Sequence, residues 1–223
     1  MILAGVFYSG GLLIAIYFSI IMFAGRTFLT ASELIFAGMS VCIPLILATF
    51  LLASSVEAVD KRFKIMKYLL IVIFIFYNIL LVSVLFRNGY RQFRATSVIN
   101  LIEELKWKFN YIPFKTIKNY IQAYNNGYMG KSIIAENLLG NTLLFAPMGI
   151  LLTCLFPSLH KFIKFIVVML IVLISVELGQ LLTGLGSCDI DDIILNLSGA
   201  ILFYGVWNIR FMQLALKKVY VLK

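Results

Sequence analysis

The chain has 223 residues, 62% hydrophobic and 13% charged, where a soluble domain carries about a quarter charged residues. Its net charge of +9 and pI near 9.5 would suit nucleic acid in a soluble chain. Here the basic residues fill gaps between apolar runs, with no zinc-finger spacing or RNA-binding aromatic signature, so neither a soluble domain nor a nucleic-acid partner is expected.

In chain order, six stretches are long and apolar enough to cross the hydrocarbon core as helices: residues 4–24, 33–54, 65–86, 138–156, 162–184 and 193–214. The first lacks the basic lead of a secretory signal and reads as a retained span. Pro44 and Pro147 fall inside spans two and four, where each removes a donor and can kink its helix; Pro147 frees the Leu143 carbonyl. The expected fold is therefore all-α, a polytopic transmembrane helical bundle of about six spans.

About 50 residues separate spans three and four. In this loop Ile117, Tyr120, Ile121 and Tyr124 stand at i, i+3, i+4 and i+7, with Lys115 and Lys118 beside them. That spacing predicts a short amphipathic helix at the membrane interface, and Trp107, Phe109, Tyr111 and Phe114 add aromatic character suited to head-group depth. A helix packed over the bundle without a ligand fits the same pattern. With both termini on one side, that side holds ten Lys and Arg against two acids, the other nine against seven spread over a far longer loop. The positive-inside rule then puts the termini in the cytoplasm of a multi-pass cell-membrane protein, although Arg26 opposes it. The divisions expected are 1–90 as an N-terminal three-span region, 91–136 as an extracytoplasmic amphipathic loop, 137–214 as a three-span core and 215–223 as a basic cytoplasmic tail.

Polar residues gather at one leaflet of the last three spans. Asn137 and Asn141 are i,i+4 on span four, with Gly140 read as a point of close helix approach. Glu177 and Gln180 are i,i+3 on span five, and Asp192 and Asn196 are i,i+4 on span six, after Asp189 and Asp191. One outward-opening polar site results, comprising Asn137, Asn141, Glu177, Gln180, Asp189, Asp191, Asp192 and Asn196. An ionisable group inside a span calls for a partner; Gln180, Asn141, Asn196, Arg94 or a bound cation could serve Glu177. Taken singly, Asn137, Asn141 and Asn196 are better explained by interhelical bonding, and one aspartate at the start of span six serves as a helix cap. Three aspartates exceed that need. Asp189, Asp191 and Asp192 could also hold a divalent cation or share a proton; no cofactor is otherwise expected. Cys188 has no base at hand, since His160 reads as a loop residue on the opposite side, and Cys42, Cys154 and Cys188 form no disulfide framework.

Asn110-Tyr-Ile-Pro-Phe114, the block Gly140-Asn141 to Phe145, Pro147 and Gly149, the pair Glu177 and Gln180, and the run Asp189, Asp191, Asp192, Asn196 together resemble the VanZ family of bacterial membrane proteins over residues 110–204. Many members carry an arginine shortly before the first aspartate; this chain has Leu185-Gly186-Ser187-Cys188, so no arginine–carboxylate pairing carries over. The resemblance implies a link to resistance against the glycopeptide teicoplanin, a lipid-tailed antibiotic acting outside the membrane. Two functions are then open beside membrane-lipid contact. One is non-enzymatic binding of a lipoglycopeptide or lipid-linked cell-wall intermediate. The other is an enzyme acting on a phosphorylated or glycosylated lipid head group through Glu177 and the aspartates, for which no nucleophile is evident. A transporter would place its polar residues nearer the midplane.

Overall fold

The computed structural model describes residues 31–86, 105–106 and 108–218, and of residues 31–42 the backbone alone. The first predicted span, Trp107 and Arg94 lie outside the described residues. The helices in chain order are α1 (Ala31–Ser54), α2 (Val59–Leu85), α3 (Lys115–Asn125), α4 (Lys131–Leu144), α5 (Met148–Leu155), α6 (Phe162–Thr183), α7 (Ile190–Asn208) and α8 (Arg210–Lys218). The described residues also include two short strands, β1 (Phe109–Asn110) and β2 (Cys188–Asp189), and a 3-10 turn at Pro157–His160. The fold is the all-α bundle expected. Among the described residues four stretches are long and apolar enough to cross a membrane: Val59–Leu85, Lys131–Leu155, Phe162–Thr183 and Ile190–Asn208.

The chain forms two compact units, Met1–Ser83 with Arg210–Lys223, and Val84–Ile209. In the first, α1 runs unbroken through Pro44. Leu45 and Ala53 of α1 share an apolar cluster with Met66, Leu69 and Phe76 of α2. The predicted sixth span was to reach residue 214. Instead α7 stops at Asn208, Ile209 is extended, and Arg210–Lys218 is a separate amphipathic helix. The polar residues Asn208, Arg210 and Gln213 account for the change, because they interrupt the apolar run from the residue after Trp207 onward.

In the second unit α7 is central, with α4, α5 and α6 packed against it. Its buried residues Ile193, Asn196, Ala200, Tyr204 and Trp207 form one stripe. The facing stripe of α6 is Phe165, Met169, Leu173 and Glu177, four residues apart each time. Other faces are covered with exposed Ile163, Ile171, Leu182 and Leu202, a surface suited to lipid rather than water.

Span four begins at residue 131, not 138, and is broken rather than kinked. Pro147 has no N–H to give, and the chain tightens around it: Ala146 N–H donates to the Leu143 carbonyl (3.2 Å), Met148 to Phe145 (3.0 Å) and Gly149 to Ala146 (3.0 Å). The carbonyl expected to be free is thus satisfied. Close helix approach occurs, but not at Gly140, which faces open space. It occurs at Gly199, where a Cβ would meet the Thr142 carbonyl of α4, and at Gly149, where it would meet the α7 backbone at Ala200 and Tyr204. At the end of α6, Gly184 adopts φ +72 and Leu185 N–H donates to the Gln180 carbonyl (3.1 Å). This closed turn aims the next residues at β2.

Candidate functional site

The site begins with β2. Cys188 N–H donates to the Lys108 carbonyl (2.9 Å), and the parallel pairing of β1 with β2 sets Asn110 beside Asp189. Sequence reasoning had no signal for this pairing, because two residues are too few to show an alternating pattern. It fastens the long loop to the bundle.

Asp189 is the N-cap of α7: its Oδ1 accepts from Asp191 N–H (2.9 Å). The same carboxylate accepts from Asn110 Nδ2 (2.9 Å) and from the Thr116 hydroxyl (2.5 Å). Asp191, fully buried, caps a different helix. Its Oδ1 accepts from Phe114 N–H (2.5 Å), and its Oδ2 from Thr116 N–H (2.8 Å) and Ile117 N–H (3.1 Å). These are the otherwise unpaired donors that open α3, whose own N-cap, Phe114, has no side-chain acceptor to offer. Phe114 holds φ +63, an unfavourable conformation for an aromatic residue. The grip of Asp191 on its N–H maintains it.

Glu177 is buried at the end of the α6 stripe and accepts from Asp189 N–H (3.0 Å). Its partner among the described residues is thus a backbone amide rather than Gln180, Asn141 or Asn196. Asp192 accepts from Asn141 Nδ2, which ties α4 to α7. Asn196 Nδ2 donates to the Asp192 carbonyl (2.8 Å), while its buried Oδ1 has no donor among the described residues. Two predicted members stand apart. Asn137 is exposed and donates to its own helix at the Ile133 carbonyl (2.8 Å). Gln180 donates to the Leu85 carbonyl (2.9 Å).

The structure therefore brings together Asn141, Glu177, Asp189, Asp191, Asp192 and Asn196. It adds Asn110, which the family-like NYIPF stretch had marked, and Thr116, which a lone hydroxyl in an amphipathic pattern does not reveal. The carboxylates mostly receive N–H and O–H donors from the chain itself. Among the described residues no group of three or more His, Cys, Asp or Glu side chains is arranged to hold a metal ion. Two groups outside the spans register the local negative charge. The Cys188 thiol is pushed up in pKa by burial first, then by Glu177 and Asp189. The Tyr120 phenol is raised by burial first, then by Asp192 and Asp189. His160 does lie in a turn, yet it is tied in: its Nε2 meets the Thr153 carbonyl (2.9 Å) and its own carbonyl accepts the Tyr204 hydroxyl (2.6 Å).

Above this polar latch the loop presents Tyr111, Ile112, Phe114, Ile121, Tyr124 and Tyr128, all exposed. Lys115 and Lys118 are exposed among them, and Lys131 Nζ lies 5.5 Å from the Tyr124 ring centroid.

A bundle of long apolar helices, lipid-suited outside and holding a carboxylate–amide latch inside, defines a multi-pass membrane protein. The VanZ/LLP1 family model matches residues 74–212, and the chain belongs to that family. No curated protein and no solved structure matches it.

Proposed function

We propose that the chain is an amphiphile-binding protein of the bacterial cell envelope, resident in the cell membrane with cytoplasmic termini. Its ligand would be a lipoglycopeptide such as teicoplanin or a lipid-linked cell-wall intermediate. Its role would be in glycopeptide resistance or envelope homeostasis. One observation carries this reading: buried carboxylates pin down a loop whose outer face is aromatic and basic. Such a face is complementary to a molecule with an apolar tail and an acidic head, and pinning lowers the ordering cost of binding. Among the described residues no donor reaches the buried Asn196 Oδ1, an acceptor that a ligand donor could satisfy.

The test is teicoplanin susceptibility, and antibiotic retained at the surface, with and without expression. Expression should change both, and Asp191→Asn should abolish the change at equal protein level. If expression changes neither, the antibiotic form of the proposal is lost. A second reading rests on Asp192, a half-buried carboxyl whose charge is felt by the Tyr120 phenol, an arrangement open to acid–base work on a lipid head group. Purified protein given labelled polyprenyl phosphate, with and without EDTA, decides it. A product lost in Asp192→Asn would favour catalysis, and no product under any metal would remove it.

A further inference from the structure

In the first unit a groove of about 210 Å³ runs between two helices, lined by Leu45 and Leu52 of α1 and by Ile65, Tyr68, Leu69 and Val72 of α2. Among the described lining residues the Tyr68 phenol is the only polar side-chain group, on a side chain 68% exposed. From Ile65 to Val72 the groove follows about 10 Å of helix at 1.5 Å per residue.

Charge sits at one end of it. Lys61, Lys64, Ile65, Tyr68 and Val72 stand at i, i+3, i+4, i+7 and i+11, so the two lysines continue the groove's own face one turn toward the helix start. Both are exposed. Across residues 57–67, Lys61, Arg62, Lys64 and Lys67 outweigh Glu57 and Asp60, leaving +2 (four minus two). An apolar trough, a phenol at its rim and two ammonium groups beyond follow the order of a phospholipid from acyl chain through glycerol backbone to phosphate.

We propose that this groove binds one anionic phospholipid, an acyl chain lying along Ile65, Leu69 and Val72 and the phosphate held by Lys61 and Lys64. Charge complementarity selects the lipid class, since a zwitterionic lipid fills the trough equally but brings a cation to the lysines. The site lies outside the polar latch and does not rest on the proposed function.

Native mass spectrometry of the full chain in detergent, titrated with phosphatidylglycerol or phosphatidylcholine, tests it. Wild type should retain one phosphatidylglycerol with clear preference. Lys61→Gln with Lys64→Gln should weaken that binding on the order of 30-fold, at about a tenfold or less per lysine near an anionic head group. Val72→Trp, which fills the trough and leaves the charges, should weaken both lipids together. Lys161→Gln with Lys164→Gln, at the start of α6, should change nothing. Equal binding of the two lipids, equal losses from both lysine pairs, retention in Val72→Trp, or competition by free glycerol phosphate would each overturn the proposal. So would a wild-type chain with no bound lipid, as when another segment of the chain occupies the trough.

Discussion

The Asp191 carboxylate and the Phe114 N–H are 77 positions apart in sequence and 2.5 Å apart in space. A residue in the first turn of one helix thus serves as the cap of another. Since Thr116 and Ile117 donate to the same carboxylate, the start of α3 is defined by α7 rather than by its own sequence.

Thr116→Val keeps the shape of the side chain but removes the hydroxyl that donates to Asp189 and accepts from Asn110 (3.1 Å). A buried carboxylate is left one donor short, which costs roughly 1–3 kcal/mol. A thermal-unfolding measurement in detergent should show a clear drop in Tm. Asn137→Ala, at an exposed residue bonded to its own helix, should stay within about 0.5 kcal/mol of wild type.

Glycines separate by place. Gly199→Ala sets a methyl group against the Thr142 carbonyl, and backbone cannot yield as a side chain does. The α4–α7 pair must part, and expression and Tm should both fall. Gly140→Ala meets nothing within 4 Å and gains up to about 1 kcal/mol of helix propensity, so its Tm should hold or rise.

The Cys188 thiol gives a pH prediction. Its folded pKa is raised, so the thiolate forms later in the folded chain than in the unfolded one. The associated stability is present below the unfolded-state pKa and is lost as pH rises through the folded value. Maleimide labelling of the folded protein should therefore lag an unfolded control on the pH axis. Glu177→Gln should bring the profile down, because it removes one of the charges responsible. An unshifted wild-type profile contradicts the environment described. Burial also makes Cys188 a poor reporter of sidedness; Ser187→Cys, exposed at the same turn, should label from outside intact cells if the polar site opens outward.

The spans were legible because twenty apolar residues have few other uses, and the amphipathic helix because Ile117, Tyr120, Ile121 and Tyr124 keep helical spacing. The grouping of Glu177 with Asp192 and Asn141 was legible too, since i,i+3 and i,i+4 spacing aligns side chains on helices already located. What each residue bonds was not. Spacing offers Glu177 side chains or a bound cation as partners, whereas the turn at Gly184 delivers the Asp189 backbone amide to it, and turn geometry leaves little trace in composition. Asn137 and Gln180 carry the same spacing signal as their neighbours. Asn137 instead bonds its own helix at the Ile133 carbonyl, and Gln180 turns to the Leu85 carbonyl; spacing alone does not separate them from their neighbours. The break at Pro147 exceeded a kink because the chain there closes three successive short turns.

Amide hydrogen exchange at Phe114, Thr116 and Ile117, compared between the full wild-type chain and Asp191→Asn in detergent, tests most directly whether carboxylates of one span hold the loop. These amides should be protected in wild type. They should exchange on the order of 30-fold faster in the variant, as expected for about 2 kcal/mol of lost charge-assisted hydrogen bonding, while the interior of α7 stays protected. Fast exchange in wild type, or identical protection in the variant, would show that the latch does not hold the loop.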